Sequence, residues 1–194
     1  MDMFGNIPLV TTAGESTENA DQASRPEVYR FIVKELQEVT PLLPTGHSNL
    51  LGKNYGRVTR SVANFLLAKL MLNGEVYSDA DWTDNQQPNG KQTYFTINGQ
   101  QMNIWQACKY YCDELTADGF TLAADYLSNF SVNNENSPEN IFTIPLDKHL
   151  YKSQFQYLFR SRHYSHGGAF GTGSENGACA TISTVLSLIH ISEP

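Results

Sequence analysis

The chain has 194 residues, 20 of them acidic and 13 basic, and 40% of its residues are hydrophobic. This length and composition suit one large globular domain or a piece of a longer protein. The net charge of −7 argues against a nucleic-acid partner, because proteins that bind the phosphate backbone concentrate Lys and Arg on one face.

The chain carries no recognisable membrane or targeting segment. No apolar run reaches the roughly 20 residues that a transmembrane helix needs, and no basic start followed by an apolar stretch marks a signal peptide. Apolar residues appear at once in MDMFGNIPLVT, without a cap or a polar leader. We therefore expect the chain to be an internal piece of a longer protein, so the missing signal carries little weight.

The first helix is predicted over residues 27–42. Ser24 and Glu27 have the spacing of a capping box, and Pro26 lies in the first turn, where its missing N–H costs nothing. Pro44 and Gly46 mark the end of the helix. Its buried stripe is predicted to consist of Val28, Phe31, Ile32, Leu36, Val39 and Leu43.

A second helix is predicted from residue 58 to about residue 77. Its apolar residues spread over more than one face, so it needs neighbours on two sides. Short side chains at Ser61, Ala63 and Ala68 would let another helix approach closely. The main buried stripe is predicted to comprise Val58, Val62, Phe65, Leu66, Leu70 and Val76, widened by Ala63, Leu67, Met71 and Leu72.

A hairpin and a third helix follow. Asn98-Gly99, flanked by alternating residues, predicts a β-hairpin. The third helix begins near Asn103, which can cap it with Gln106 at the third position, and stops at Gly119. Its buried stripe is predicted as Ile104, Ala107, Cys108, Tyr111 and Leu115, and Trp105 is also assigned to the core.

The three cysteines, Cys108, Cys112 and Cys179, cannot all pair within the chain. Cys108 and Cys112 lie four positions apart on one predicted helix, which differs from the CxxC spacing of a zinc site. A disulfide between them would strain the helix. We interpret the cysteines as small buried apolar residues.

The remaining segments are predicted to be less regular. LAADYLSNF suggests one or two helical turns, and ENIFTIPL an extended run that ends at Pro145. From Tyr151 to Phe170, aromatic residues are mixed with Gln, Arg, His and Gly, which is typical of a loop-built surface. Such a mixture suits a sugar, whose C–H face stacks on an aromatic ring while its hydroxyls bond amides and guanidinium groups. The same alternation also fits a half-buried strand.

Helices with broad apolar faces, joined into hairpins, fit a tetratricopeptide-like stack in which each hairpin buries its neighbour. The predicted fold class is therefore mainly α, with tetratricopeptide-like helical hairpins and with loop and short β-hairpin insertions. Residues 58–77 and 103–118 would form the two helices of one repeat. Residues 27–42 would belong to the repeat before it.

Six segments, taken in order, resemble the SusD/RagB family of surface glycan-binding lipoproteins: FGNIPLV, SRPEVYRFIVKELQEVTPLLP, YGRVTRSVANFLLAKLMLNGEVY, DGFTLAADYLSNF, NSPENIFTIP and SENGACAT. The resemblance implies a partial SusD-like domain over residues 1–181, with helical repeats at about 24–130 and a loop-rich, ligand-facing region at about 141–181. Residues 182–194 resemble translated sequencing-adapter sequence and are interpreted as a non-native tail.

Family membership implies a non-catalytic protein on the extracellular face of a bacterial outer membrane. The full-length protein would be held there by a lipid anchor that this chain lacks. The resemblance implies that the protein binds an oligosaccharide or other nutrient and delivers it to a SusC-like TonB-dependent transporter. We expect neither a cofactor nor a metal ion.

The ligand-binding residues are expected in the irregular segments, at Trp82, Tyr157, Arg160, His163 and Tyr164. Other site types fit the sequence less well. His163 and His166 lack a helix that would converge their rings and a third metal ligand, and the glycines after them miss the spacing of a phosphate loop. DADWTD is one position out of register for a calcium loop.

Two other functions stay open at this point. One is a tetratricopeptide-type protein–protein interaction scaffold, whose helical groove would take a peptide. The other is a glycoside hydrolase, which needs two carboxylates about 5 to 10 Å apart across a cleft.

Overall fold

The computed structural model describes residues 1–12, 14, 20–131, 134–145, 165 and 182. The chain divides into two compact units, Met1–Pro145 and Leu146–Pro194, and the description below concerns the first. None of the helices within the described residues is long and apolar enough to cross a bilayer.

The first unit is rich in helix and carries two small antiparallel sheets. Strands β1 (Ile7–Pro8) and β2 (Gln22–Ala23) form one sheet, and strands β3 (Tyr94–Ile97) and β4 (Gln100–Asn103) form the other. The helices are α1 (Arg25–Val39), α2 (Arg60–Leu72), α3 (Gly74–Ser78) and α4 (Ile104–Ala117), with short 3₁₀ turns at Thr40–Leu42 and Tyr126–Phe130.

Helix α1 begins with the predicted capping box. The Ser24 hydroxyl accepts from the Glu27 N–H at 3.4 Å, and the Glu27 carboxylate accepts from the Ser24 N–H at 2.8 Å. The predicted buried stripe is confirmed only at Val28, which is fully buried together with Tyr29 and Val33. Phe31, Ile32, Leu36 and Leu43 are half-buried, and Val39 is exposed.

The long second helix predicted from the sequence is in fact two helices. Asn73 ends α2 with a backbone conformation of φ −97° and ψ 14°, and its side-chain amide donates to the Lys69 carbonyl at 2.9 Å. Asn competes for backbone hydrogen bonds in this way and so favours helix ends. Gly74 then begins α3 at a crowded point, where an added Cβ would lie 2.9 Å from the Tyr29 hydroxyl oxygen and 3.1 Å from Ile104.

The buried face of α2 also differs from the predicted stripe. The exposed apolar residues are Val58 before the helix, Phe65, Leu66 and Leu72 on α2 and Val76 on α3. The small residues do allow close packing, as predicted, because Ser61, Ala63 and Ala68 are all buried. The complete buried set of α2 is Ser61, Val62, Ala63, Asn64, Leu67, Ala68 and Met71.

Helices α1, α2 and α4 pack as successive antiparallel neighbours. The start of α1 lies against the end of α2, where the Tyr29 hydroxyl contacts the Met71 sulfur at 3.7 Å. The start of α2 lies against the end of α4, where the Ser61 hydroxyl donates to the Asp118 carboxylate at 2.6 Å. The shared core comprises Tyr29, Val33, Leu67, Ala68, Met71, Ile97, Ile104, Ala107 and Tyr111.

The hairpin and the cap of α4 are confirmed. Asn98 and Gly99 have positive φ angles of 49° and 78°, as a two-residue hairpin turn of type I′ requires. The Asn103 side chain accepts from the Gln106 N–H at 3.0 Å, and the Gln106 side chain accepts from the Asn103 N–H at 3.0 Å.

Two predictions about α4 are wrong. Trp105 is 37% exposed and lies outside the core, because the buried stripe of α4 follows Ile104, Ala107, Tyr111 and Leu115 on the side that meets α2. Cys108 is half-buried and Cys112 exposed, both as free thiols, so Cys112 is not the buried apolar residue that was predicted. Cys179 lies outside the described residues.

The connections on the far side of α4 are irregular. The helical turns predicted in LAADYLSNF form the 3₁₀ turn Tyr126–Phe130, and residues 141–145 belong to no strand. A network of hydrogen bonds connects Asn129, Ser137 and Glu139 with Asn49 in the loop before α2. The Asn49 amide donates to the Ser137 carbonyl at 2.8 Å, and the Asn129 amide donates to the Glu139 carboxylate at 2.8 Å.

Candidate functional site

Trp82 lies in the loop after α3, and its side chain is 76% exposed. It lines a cleft of about 570 Å³ between this loop and the first residues of the chain. The side chains that matter for recognition in this cleft are Phe4, Asn6, Gln22, Arg25, Asp81 and Trp82.

The pairing of β1 with β2 brings the N-terminal segment to the cleft. Ile7 pairs with Ala23 and Pro8 with Gln22. The Arg25 N–H donates to the Asn6 side-chain oxygen at 3.0 Å, which fixes this segment against the start of α1. The Tyr77 hydroxyl donates to the Asp2 carboxylate at 2.9 Å and ties the same segment to α3.

A tight turn exposes the second aromatic ring of the cleft. The Gly5 N–H donates to the Met1 carbonyl at 2.9 Å, and Gly5 has a φ of +66°, which favours glycine. Phe4 just before it is 79% exposed. Phe4 and Trp82 line the same cleft with both rings exposed. Exposed apolar side chains that share a surface in this way mark binding sites.

The Trp82 loop is held by three aspartates and one arginine. The Arg25 guanidinium donates to the Asp79 carbonyl at 2.8 and 3.1 Å. The Asp79 carboxylate then accepts from the Asp81 N–H at 2.9 Å, and the Asp81 carboxylate accepts from the Thr83 N–H at 3.0 Å. The Asp84 carboxylate accepts from the Gln86 N–H at 2.7 Å. These are Asx turns, and they fix the backbone on both sides of Trp82.

The charged groups that line the cleft include the carboxylate of Asp81 and the guanidinium of Arg25, which pairs with Asp79. The hydrogen bonds from the Thr83 hydroxyl and N–H lower the pKa of Asp81, so this carboxylate stays charged near neutral pH. Arg25 also lies 3.9 Å from the Asp79 carboxylate. Burial, and then the hydrogen bond to Asp2, raises the pKa of Tyr77 behind the cleft, so its hydroxyl stays a donor.

Hydrogen-bonding capacity is left over for a ligand. The side-chain nitrogens of Asn6 and Gln22 have no hydrogen-bond partner among the described residues. Planar amides of this kind pair with hydroxyl groups in both directions, since each carries donors and an acceptor. The cleft therefore offers two exposed rings, two amides and one carboxylate to whatever enters it.

Of the five predicted ligand-binding residues, only Trp82 lies among the residues that the structure describes. Tyr157, Arg160, His163 and Tyr164 lie outside the described residues, as does the whole segment 151–164. Within the described ranges, no group of three His, Cys, Asp or Glu side chains could hold a metal ion.

The sequence reading missed Phe4, Asn6 and Arg25 as site residues. For Arg25 a signal was present, because a cation in the first turn of a helix opposes the helix dipole and so indicates a partner elsewhere, here Asp79. Phe4 and Asn6 carried no such signal. Their position depends on the pairing of two strands of two residues each.

Comparisons of the chain with protein-family models, with curated proteins and with solved structures found no match. The Trp82 cleft combines two exposed rings with amide nitrogens that have no hydrogen-bond partner among the described residues.

Proposed function

We propose that this chain is part of a SusD-like protein that binds an oligosaccharide or other nutrient without catalysis and delivers it to a SusC-like TonB-dependent transporter. The observation that supports binding is the pair of exposed rings, Trp82 and Phe4, on one cleft with two amides whose nitrogens are unpaired within the part of the chain that the structure describes. The transporter, the outer-membrane location and the lipid anchor of the full-length protein are inferred from the six ordered sequence segments.

The chemistry of the Trp82 cleft matches the two faces of a sugar. A pyranose presents an apolar C–H face that stacks on a flat aromatic ring, and hydroxyls around its edge that need donors and acceptors. Trp82 supplies the ring, Asn6 and Gln22 supply the amides, and the ionised Asp81 carboxylate accepts from hydroxyls. The size of the cleft, about 570 Å³, lies within the usual range for small-molecule sites.

We also propose that α1, α2 and α4 belong to a tetratricopeptide-like stack, α2 and α4 being one repeat and α1 the second helix of the repeat before it. This is supported by the antiparallel contacts of α1 with α2 and of α2 with α4. The hairpin β3–β4 and the Trp82 loop are then insertions between the two helices of one repeat. An insertion of this kind is where ligand contacts are expected in a repeat scaffold.

Binding without catalysis fits the carboxylates of the cleft better than glycoside hydrolysis does. A glycosidase needs one carboxyl group whose pKa is raised so that it can act as the general acid. Asp81 has its pKa lowered by Thr83, and Asp2 accepts a hydrogen bond from Tyr77. Incubating any bound glycan with the protein and measuring reducing ends tests this, since released ends would favour the hydrolase.

Isothermal titration against a panel of oligosaccharides tests the proposal. We expect at least one glycan to bind, and Trp82→Ala and Phe4→Ala to weaken binding by about tenfold each, since a ring stacked on a ligand contributes on the order of 1 kcal/mol or more. Tyr126→Ala removes an exposed aromatic ring outside the cleft and serves as the control. Tyr157→Ala and Tyr164→Ala test the remaining predicted residues.

A protein-interaction scaffold is the second candidate function. It is favoured by the apolar side chains of Phe65, Leu66, Leu72 and Val76, which α2 and α3 leave exposed, because exposed apolar patches mark interaction sites. The titration separates the two functions. If no glycan binds and both cleft variants behave like the unmodified protein, the scaffold is favoured.

A further inference from the structure

A second cleft, separate from the Trp82 cleft, lies where α1, α2, α4 and the β3–β4 hairpin meet. Its volume is about 380 Å³, which is within the range of small-molecule sites. The polar side chains that line it include Gln37, Arg60, Asn64, Tyr110, Tyr111 and Glu114.

Arg60 is the unusual residue of this cleft. Its Nε atom is buried and has no hydrogen-bond partner among the described residues. The ion pairs formed within the described residues involve Arg25, Lys34 and Lys109, so the Arg60 guanidinium has no carboxylate partner there. Buried donors of folded proteins are nearly always paired, and a charged one most of all. Arg60 lines the cleft, so a negatively charged ligand there would supply the carboxylate partner that the described residues do not.

The walls around Arg60 are held in place by hydrogen bonds. The Gln37 amide donates to the Tyr111 hydroxyl and to the Thr96 carbonyl, both at 3.2 Å. The Asn98 amide donates to the Tyr110 hydroxyl at 2.7 Å. Asn64, next to Arg60 on the helix face, is only 4% exposed. The polar groups of this cleft are therefore positioned before a ligand arrives, which lowers the entropic cost of binding.

Glu114 gives the cleft a second charge of opposite sign. Glu114 lines the cleft together with Tyr110, and burial, and then the charge of Glu114, raises the pKa of the Tyr110 hydroxyl. Arg60 and Glu114 line the same cleft but do not pair with each other within the described residues. A ligand that fits both must carry an acceptor of negative charge for Arg60 and hydrogen-bond donors for Glu114.

We propose that this cleft binds a small hydroxylated carboxylic acid of the hexuronic acid type. Its carboxylate pairs with the Arg60 guanidinium, for which the described ranges supply no carboxylate, since planar guanidinium and carboxylate groups match in geometry. Its hydroxyls donate to Glu114 and exchange hydrogen bonds with the Asn64 amide. This site is independent of the Trp82 cleft, so either assignment can fail without the other.

Titration of the whole chain with D-glucuronate, D-glucose and glycine tests the proposal. We expect glucuronate to bind about tenfold or more tightly than glucose, the charge-assisted hydrogen bond being the difference. Arg60→Gln should abolish that preference, and Arg60→Lys should reduce it. Arg57→Gln removes an exposed arginine three positions away and should leave the preference unchanged. Thermal melts establish that each variant is folded.

Glu114→Gln and Trp82→Ala complete the test. Glu114→Gln should weaken glucuronate binding, since the hydroxyls of the ligand lose a charged acceptor, whereas Trp82→Ala alters the other cleft and should leave glucuronate binding unchanged. Equal binding of glucuronate and glucose would overturn the proposal, as would an unchanged preference in folded Arg60→Gln and Arg60→Lys. Tighter binding of glycine than of glucuronate, together with its loss in Glu114→Gln, would overturn the ligand class. Loss of glucuronate binding in Trp82→Ala alone would place the ligand in the first cleft.

Discussion

The guanidinium group of Arg25 donates two hydrogen bonds to the backbone carbonyl of Asp79, at 2.8 and 3.1 Å. These bonds join the start of α1 to the loop that carries Trp82, 54 positions further along the chain. The Arg25 N–H also donates to the Asn6 side chain. A single residue thus positions both walls of the Trp82 cleft, which makes it the natural place to test the cleft's architecture.

We predict that Arg25→Ala lowers the free energy of unfolding by about 1 to 3 kcal/mol, the usual cost of removing hydrogen bonds to a charged group. The Arg25 side chain is only 17% exposed, so water replaces the lost donor incompletely. Urea unfolding measures the change. Arg57→Ala, at an exposed arginine, should change the free energy by less than about 0.5 kcal/mol, and equal effects of the two variants would contradict the assigned role.

Two adjacent leucines of α2 test the packing of the helices. Leu67 is 1% exposed and Leu66 is 43% exposed, so the same substitution removes buried surface at only one of them. Leu67→Ala should lower the free energy of unfolding by about 2 to 5 kcal/mol. Leu66→Ala should lower it by less than about 1 kcal/mol. Denaturant unfolding measures both changes. A larger loss for Leu66→Ala than for Leu67→Ala would indicate that the buried face of α2 is the one predicted from the sequence.

The capping box of α1 predicts a dependence of stability on pH. The hydrogen bonds from Ser24 lower the pKa of Glu27 from its ordinary value of 4.5. A group whose pKa is lowered by folding stabilises the folded state above its ordinary pKa, and this contribution is lost as the pH falls through the folded value. The difference in free energy of unfolding between the unmodified chain and Glu27→Gln should therefore be largest near neutral pH.

That difference should shrink as the pH is lowered from 5 to below the folded pKa of Glu27. Urea unfolding at a series of pH values measures it. Glu35→Gln, at an exposed glutamate of the same helix, is the matched control and should alter the pH dependence less. An effect of Glu27→Gln that stays constant from pH 7 to pH 3 would contradict the role of the carboxylate in the cap.

Local chemistry made the helix starts and the hairpin predictable. The caps at Ser24 and Asn103 each act through a partner three residues away, and the turn at Asn98-Gly99 requires only that both residues accept a positive φ. Signals of this range are contained in a few consecutive residues. They do not depend on how distant parts of the chain come together.

The buried face of α4 was predicted at Ile104, Ala107, Tyr111 and Leu115. The buried faces of α1 and α2 were predicted only in part, because they depend on neighbours that are distant in sequence. Tyr29 is buried because Tyr77 and Phe95 lie against its ring, each at 5.5 Å between ring centroids. The predicted stripe included Phe31 and omitted Tyr29. The end of α2 at Asn73 was not predicted either, because the crowding at Gly74 comes from Tyr29 and Ile104, which are distant in sequence.

The candidate site was predictable only in part. A tryptophan among aspartates after a helix indicated an exposed loop, and Trp82 is exposed. The other wall of its cleft comes from the N-terminal segment through contacts between Asn6 and Arg25, 19 residues apart, which no pattern along the chain encodes. The role of Arg60 in the second cleft could not be predicted either, because its surroundings come from α1, α4 and the hairpin.

The emission of Trp82 during a glycan titration shows directly whether a sugar stacks on its ring. The chain has two tryptophans, so Trp105→Phe leaves Trp82 as the sole indole, at an exposed position. If a sugar stacks on this ring, its emission should shift to shorter wavelength and saturate at the same glycan concentrations as the heat of binding. A glycan that gives a saturating heat while the Trp82 emission stays unchanged would contradict the account.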